Sequence, residues 1–195
     1  EVAPGVWQRR WTFGGTVPAP TLHGRVGDTF VVTLVNEGSM GHSIDFHAGE
    51  RAPDAVMYTI PPGGRLTYRF TAGRAGVWMY HCSTMPMTAH IAAGMFGAVV
   101  IEPKGLPEVD RSWLLVQSEA YLDTRHEAGH EAGRESASEV DADKVMTGEP
   151  DVMAFNGRAF QYVEEPLVAR SGERLRIWVL DAGPNRSSSF HVVGG

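Results

Sequence analysis

The stretch TFVVTLVNEG, residues 29–38, decides the fold class, because it gathers β-branched and aromatic residues in a short run that a glycine closes. Runs of the same kind follow at residues 65–73, 76–82 and 96–103. Turn sequences such as PPGG, residues 61–64, separate them. Since no helical period interrupts these runs, the first half of the chain is predicted to form an antiparallel β-sandwich.

The second half of the chain repeats the pattern. GERLRIWVLDAG, residues 172–183, echoes GDTFVVTLVNEG, residues 27–38, and this echo indicates a duplicated domain. The second copy stops at Gly195, before its closing strands, so we expect a fragment of a longer protein. The predicted organisation is a first domain over residues 1–105, a linker over 106–112, and a second domain over 113–195 with a long surface loop at about 123–151.

The composition is that of an ordinary globular protein, with 43% hydrophobic and 21% charged residues. A net charge of −6 argues against nucleic acid or an anionic membrane as the main partner. No apolar run approaches the roughly 20 residues that span a bilayer. The chain shows no signal peptide, and we expect any such segment to have been removed. The single cysteine excludes an internal disulfide.

That cysteine lies in MYHCSTMPMTAHIAAGMFG, residues 79–97, where Cys82, His90 and Met95 follow a C-x7-H-x4-M spacing. A soft thiolate, two imidazoles and a long thioether bond form a blue-copper electron-transfer centre. His42, in GHSIDFHAG on an earlier strand, supplies the second imidazole. The alternative is a buried core cysteine with a methionine as filler. The joint spacing favours the copper centre.

Strand alternation predicts a second metal site beside the first. Adjacent side chains of a strand project to opposite faces, so His81 faces away from Cys82. His42 and His47 are five residues apart and also face opposite sides, and Asp45 shares the parity of His47. If His42 joins Cys82 at a buried metal, His47 and His81 form half of another site. One peptide step would then join the two sites, as a short covalent path for an electron.

The second site needs a further ligand. His191, in NRSSSFHVVGG, is expected on the strand of the second domain that mirrors the strand of His42 and His47. Three neutral imidazoles with an open position suit catalytic copper or zinc. The alternative is an ordinary strand histidine. We favour ligation, because His47 and His81 otherwise have no third partner.

These residues resemble those of the copper-containing nitrite reductases, a branch of the cupredoxin and multicopper-oxidase proteins. The resemblance covers most of the chain, through GGTVPAPTL, HSIDFHAG, VWMYHC, HIAAGMFGAVVIEPKG, LLVQSEAY, FNG and SSSFHVVG. It is closest to the short-loop members, in which seven residues separate the copper cysteine from its histidine. It implies an all-β fold of tandem cupredoxin-like Greek-key β-sandwiches, the second incomplete in this chain.

The resemblance also implies a function, the reduction of nitrite to nitric oxide. The electron would come from a small cupredoxin or cytochrome c, enter at a type 1 copper and pass through Cys82 and His81 to a type 2 copper. Asp45 would handle protons. The family forms homotrimers outside the cytoplasm, in the periplasm or secreted. The implied ligands are His42, Cys82, His90 and Met95 for type 1, and His47, His81 and a neighbouring subunit's His191 for type 2.

One departure from the family affects the catalytic assignment. Family members carry a second catalytic histidine three residues before the phenylalanine of FNG, and Val152 stands at that position here. Valine cannot donate a proton. Either Asp45 and water suffice, another group substitutes, or the protein binds copper and turns nitrite over poorly.

Two other functions stay open. A laccase-like multicopper oxidase would need a histidine directly after the cysteine, where Ser83 stands, and another at the position of Asp45. A non-catalytic cupredoxin electron carrier would hold one copper instead of two.

Three other features of the sequence are given less weight. HEAGH, residues 126–130, matches a zinc-protease pattern, but a Gly-containing repeat without an apolar face favours a chance match in a solvated loop. Met85 and Met87 compete with Met95 as axial ligand, and the spacing favours Met95. His23 is expected to be structural or exposed.

Overall fold

The computed structural model describes residues 1–49, 57–123 and 137–193. The chain forms two compact units, one of residues Trp11–Glu108 and one that combines Glu1–Arg10 with Val109–Gly195. We call them the first and the second unit. The regular secondary structure of the described residues is mostly strand, which confirms the all-β prediction. Their longest helix has seven residues, so none of the described helices could cross a membrane.

The described part of the first unit is a set of strands with one helix and one 3-10 turn. The strands are β1 (Ala19–Arg25), β2 (Thr29–Val35), β3 (Asp45–Phe46), β4 (Arg65–Thr71), β5 (Gly76–His81) and β6 (Phe96–Glu102). The turn, His47–Gly49, directly follows β3, and helix α1, Met87–Ala93, lies between β5 and β6.

The strands of the first unit form two sheets, one with the order β1-β6-β5-β3 and one of β2 with β4. Three pairs are antiparallel, but β1 pairs with β6 in parallel. The prediction of a purely antiparallel sandwich is therefore wrong at this edge. Parallel neighbours need a long crossover, and nearly the whole unit lies between β1 and β6.

The core of the first unit is formed by residues of both sheets. Tyr68 and Phe70 of β4 share one buried cluster with Tyr80, Val99 and Ile101 of β5 and β6. Strand β6 lies between β1 and β5, and six of its seven residues are buried. The two sheets thus pack as layers of a sandwich around these side chains.

Gly97 gives the Tyr80 ring its place in this core. A Cβ added at Gly97 would lie 2.5 Å from Cε1 of Tyr80, and the Tyr80 hydroxyl donates a hydrogen bond to the Pro20 carbonyl at 2.6 Å. The ring is therefore held from two sides. Overpacking of this kind usually destabilises a core by about 1–3 kcal/mol.

We expect the substitution Gly97→Ala to lower the free energy of unfolding by about 1–3 kcal/mol, because the tethered ring cannot move aside freely. Urea denaturation of the variant measures this loss. The control is a double-mutant cycle with Tyr80→Leu, in which the added methyl group should cost much less. An equal loss in both backgrounds would contradict the explanation.

The second unit contains one described sheet of three strands in the order β8-β7-β9. Strand β7 pairs antiparallel with β8 and parallel with β9. A short helix lies within the predicted surface loop. The elements are β7 (Arg111–Ala120), helix α2 (Ala142–Thr147), β8 (Val152–Phe155), helix α3 (Gln161–Glu164) and β9 (Leu175–Asp181).

The first ten residues belong to the second unit, whereas the pattern of the sequence predicts that they belong to the first domain. Val2 packs in a buried cluster with Ala120 and Leu122. The Gln8 side chain donates a hydrogen bond to the Tyr121 carbonyl at 2.7 Å. The sequence shows no break between residues 10 and 11, so this division depends on contacts more than 100 positions apart.

The two segments that echo each other in sequence both form strands. Their pairing differs, since β2 pairs antiparallel with β4 while β9 pairs parallel with β7. The sequence similarity of the two segments therefore predicts a strand correctly at both places, but the direction of the paired strand differs between the two units.

Candidate metal centres

The structure brings three of the predicted ligands together in the first unit. Cys82 Sγ lies 3.0 Å from Nδ1 of His90 and 3.8 Å from Nδ1 of His42. The three ligand atoms all lie within 4.8 Å of one another. Cys82 is fully buried, and His90 is 3% exposed. Burial lowers the pKa of His90, which favours the neutral imidazole that a metal requires. We call these residues and Met95 the thiolate group.

Met95 joins the thiolate group through the backbone. Helix α1 ends at Ala93, and the capping residue Gly94, with a φ of 117°, turns the chain back. The Met95 amide then donates to the His90 carbonyl at 3.1 Å. The Cys82 amide donates to the Met95 carbonyl at 3.0 Å. Met95 is 3% exposed and belongs to the same buried cluster as Cys82, whereas Met85 is 79% exposed. This difference agrees with the choice of Met95 over Met85.

His42 is held by a backbone bridge to a neighbouring segment. Its amide donates to the Ile60 carbonyl at 3.2 Å, and the Ile60 amide donates to its carbonyl at 2.8 Å. Asn36 is 3% exposed, and its Nδ2 donates to the carbonyls of Met40 and Ile60 at 2.7 and 3.0 Å. The Asn36 side chain therefore braces both sides of the turn that leads into His42.

We expect Asn36→Asp to destabilise the first unit by about 1–3 kcal/mol, because a carboxylate would face two carbonyl oxygens and could donate to neither. Thermal unfolding, followed through the absorption of the metal-loaded thiolate group, measures this loss. Glu37→Gln changes an exposed neighbour and serves as the control. A stability equal to that of the wild type would show that Asn36 does not brace His42.

A chain of hydroxyl groups supports the segment after Cys82. Ser43 Oγ accepts a hydrogen bond from the Ser83 amide at 3.1 Å and lies 3.1 Å from Oγ1 of Thr84. Thr84 Oγ1 in turn lies 2.9 Å from Oγ1 of Thr59. These contacts connect the residue after His42 with the two residues after Cys82, so the two ligands are held at a fixed separation.

Trp11 is a part of the site that the sequence does not predict. Its ring meets those of His90 and His42 edge-on, with centroid distances of 5.1 and 6.4 Å. His42 and Met95 also line a cavity of about 910 Å³, which Trp11 borders. Trp11 precedes His42 by 31 positions and stands in no recognisable motif, so the sequence offers no signal for this contact.

A second group of donors includes His81, the last residue of β5 and the direct neighbour of Cys82. Nε2 of His47 lies 3.0 Å from Nε2 of His81. Oδ2 of Asp45 lies 3.7 Å from the first of these nitrogens and 3.9 Å from the second. Asp45 is directly opposite His81 in the pairing of β3 with β5, which places both side chains on one face. We call these three residues the histidine group.

The contacts of His81 indicate which of its nitrogens carries hydrogen. Nδ1 lies 3.1 Å from the Cys82 carbonyl, which can only accept a hydrogen bond. Nδ1 is therefore the protonated nitrogen, and the lone pair of Nε2 points toward His47. Burial and neighbouring His81 lower the pKa of His47, against the opposing effect of Asp45. Two neutral imidazoles that present nitrogens to one point can hold a cation there.

The neighbours His81 and Cys82 thus belong to different groups, as strand alternation predicts. Tyr80 and Cys82, two residues apart, share the core cluster, and His81 between them faces Asp45. The strand that carries the upstream ligands is shorter than expected. Only Asp45 and Phe46 form β3, and His47 begins the 3-10 turn.

His191 lies in the second unit and is exposed. The sequence predicts a strand around it, but residues 182–193 contain no strand. Among the described residues, the histidine group consists of Asp45, His47 and His81. Val152, at the position of the second family histidine, begins β8 and packs against the cluster of Val2, Ala120 and Leu122.

Two minor expectations concern other histidines. His126 and His130 of the HEAGH motif lie outside the described residues. His23 is exposed and lies 3.1 Å from a carboxylate oxygen of Glu102. Its expected structural or exposed position is therefore correct.

The fold and the two donor groups define a class of protein. A β-sandwich that holds a cysteine, two histidines and a methionine on one side of a strand, and a histidine group on the other, is typical of cupredoxin-fold proteins with more than one metal centre. The chain belongs to the multicopper oxidase family, whose model matches residues 1–105.

Within that family, the chain is similar to copper-containing nitrite reductases. It is 38% identical to the enzyme of Neisseria gonorrhoeae over 97% of this chain and 48% of that protein. A nitrite reductase structure from Thermus scotoductus is 34% identical, with a TM-score of 0.85 over 100% of this chain and 44% of that one. A multicopper oxidase structure is 27% identical, with a TM-score of 0.77 over 95% of this chain and 60% of that one. The chain spans about half the length of the curated relative.

Proposed function

We propose that the protein is a copper-dependent nitrite reductase that forms nitric oxide. The observation that carries the proposal is the position of two donor groups on opposite sides of the single peptide bond between His81 and Cys82. The similarity to copper-containing nitrite reductases supports it. The balanced reaction takes one nitrite, one electron and two protons to one nitric oxide and one water.

The thiolate group fits a type 1 copper. Its donors are one thiolate, two imidazole Nδ1 atoms and the buried thioether of Met95, and this soft set suits copper better than magnesium or calcium. His42 and His90 each direct their Nδ1 atom toward Cys82 Sγ. A fully buried thiol surrounded in this way is protected from solvent and held ready for ligation.

The histidine group fits two of the three ligands of a type 2 copper. His47 and His81 offer Nε2 atoms 3.0 Å apart, and the Cys82 carbonyl fixes the tautomer of His81. The third ligand in this proposal is His191 of a neighbouring subunit. Copper bound at the two groups would supply one-electron redox chemistry and the Lewis acidity that binds nitrite oxygen.

Asp45 is the proton donor in this proposal. Asp45 is 8% exposed, and its carboxylate lies less than 4 Å from both histidines, so it would face an oxygen of a substrate bound beside them. A carboxylic acid at hydrogen-bond distance from that oxygen can protonate it as the bond to nitrogen breaks. Val152 cannot share this task, because its side chain is apolar and packs in a hydrophobic cluster.

His81 and Cys82 provide the connection between the two groups. One peptide bond separates their side chains, and a hydrogen bond from His81 Nδ1 to the Cys82 carbonyl bypasses part of that path. In the proposed reaction this pair carries the electron from the thiolate group to the histidine group. The donor is a small cupredoxin or cytochrome c, the assembly is a homotrimer, and the enzyme works outside the cytoplasm.

Copper content and spectroscopy of the protein test the proposal together with nitrite-dependent formation of nitric oxide. We expect two coppers per chain, of which one absorbs intensely in the visible range and the other gives a separate electron paramagnetic resonance (EPR) signal. A single blue copper without turnover would indicate an electron carrier instead.

A laccase-like oxidase is the second candidate, supported by the family model and by the similar multicopper oxidase structure. That chemistry needs a histidine next to the cysteine, and Ser83 stands there with its Oγ 3.4 Å from Nδ1 of His81. Asp45 occupies another position where the oxidase needs an imidazole. Four coppers per chain and oxygen consumption with a phenolic reductant would favour this candidate.

A further inference from the structure

Strand β7 of the second unit carries a carboxylate that the proposed reaction does not use. Glu119 is 1% exposed and is one of the largest fully buried side chains of the described residues. Burying a carboxylate is costly unless its oxygens accept hydrogen bonds. The partners of Glu119 therefore show what the buried charge holds in place.

Every described contact of the Glu119 carboxylate comes from a hydrogen-bond donor. The backbone N–H of Asn185 donates to the two carboxylate oxygens, Oε1 and Oε2, at 3.2 and 3.0 Å, and the backbone N–H of Arg186 donates to Oε1. The Tyr121 hydroxyl donates to Oε2. A carboxylate, which only accepts, satisfies all of these donors at once.

The direction of the Tyr121 hydrogen bond is fixed by its other neighbour. Asn185 Nδ2 donates to the Tyr121 hydroxyl at 2.7 Å. The hydroxyl oxygen therefore accepts from Asn185, and the O–H donates its hydrogen bond to Glu119. Burial, reinforced by the hydrogen bond with Glu119, raises the pKa of Tyr121 and keeps its proton in place. A side chain that must donate at position 119 would oppose this arrangement.

The network connects three separate segments of the second unit. Asn185 Nδ2 also donates to the carbonyl of Val145 in α2 at 2.8 Å, and the Glu119 amide donates to the Gly183 carbonyl at 3.2 Å. The turn of residues 183–186 is thereby attached to β7 and to α2. Among the described residues, Asn185 and Arg186 make the last hydrogen bonds of the chain before His191.

We propose that Glu119 is a positioning residue for the second copper centre, because it anchors the turn from which the His191 segment departs. Only four residues separate Arg186 from His191, so a displaced turn displaces the imidazole. This inference rests on the proposed function, in which His191 of one subunit completes the histidine group of another. The variant Glu119→Gln tests this inference, because glutamine keeps the shape of the side chain and changes its hydrogen bonding.

In Glu119→Gln the new amide group would point hydrogens at the Asn185 amide, the Arg186 amide or the Tyr121 hydroxyl, all of which donate. We expect faster hydrogen exchange at the amides of residues 185–191. We also expect copper at the histidine group to bind on the order of 10-fold more weakly, with a changed EPR signal. The absorption of the thiolate group, which lies in the first unit, should stay unchanged.

The matched control is Glu165→Gln, which makes the same chemical change at an exposed position of the same unit. It should leave exchange, copper affinity and EPR signal as in the wild type. If Glu119→Gln does not fold, Tyr121→Phe removes one donor to the carboxylate and should produce the same changes on a smaller scale.

Two results would overturn the inference. One is faster exchange at residues 185–191 with an unchanged EPR signal and copper affinity, because the anchor would then serve stability alone. The other is unchanged exchange, because Glu119 would then not anchor the turn. The variant His191→Ala separates this inference from the proposed function. If that variant keeps its second copper, the ligand assignment fails whatever the exchange data show.

Discussion

Cys82→Ser is expected to remove the visible absorption of the copper-loaded protein and to lower nitrite turnover by more than about 100-fold. Even residues that only support metal ligands cost about 10–100-fold when they are changed, and Cys82 is the central donor of the thiolate group. Its Sγ is the atom toward which both imidazoles direct Nδ1. A serine hydroxyl is a hard ligand that remains protonated, so it replaces the volume without the soft thiolate.

Absorption spectra and a nitric oxide electrode measure the two effects of Cys82→Ser. The EPR signal of the histidine group should persist, because its donors are separate from those of the thiolate group. Met85→Leu, at an exposed position of the same segment, is the control and should keep both colour and activity. A Cys82→Ser protein that stayed blue would exclude Cys82 as a ligand.

His81→Ala is expected to have the complementary effect, with the visible absorption retained and turnover lowered to the background level. The variant removes one of the two imidazoles of the histidine group and the only side chain that hydrogen-bonds the Cys82 carbonyl among the described contacts. Cys82 keeps His42, His90 and Met95 as neighbours. The second copper should therefore be lost while the first stays bound.

Copper analysis, EPR and nitrite turnover of His81→Ala test this expectation. His23→Ala is the matched control, since His23 is an exposed histidine of the same unit that pairs with Glu102. It should behave as the wild type. Full nitrite activity in His81→Ala would mean that the second centre is misassigned.

Strand alternation accounts for the part of the site that the sequence predicts well. Whether two neighbours in an extended strand face apart is a local property, so the separation of His81 from Cys82 follows from their adjacency. The spacing from Cys82 to Met95 is equally local. The structure adds that α1 and its Gly94 turn bring the ends of this segment together.

The parts that the sequence does not predict depend on contacts between distant positions. The Trp11 ring contacts that of His90, and Asn36 donates to the backbone of the turn before His42; only the folded chain brings these side chains to the site. The parallel pairing of β1 with β6 likewise follows from the crossover of the whole unit, which no single stretch encodes. The strand expected around His191 is absent from residues 182–193, although the sequence predicts that this segment mirrors the strand of His42 and His47.

The central claim is that one dipeptide serves two metal ions, and anomalous scattering at the copper edge from crystals of the copper-loaded protein tests it most directly. We predict two separate peaks, one at bonding distance from Cys82 Sγ and the other at bonding distance from His81 Nε2. A single peak that contacts both side chains, or peaks that contact neither, would contradict the account.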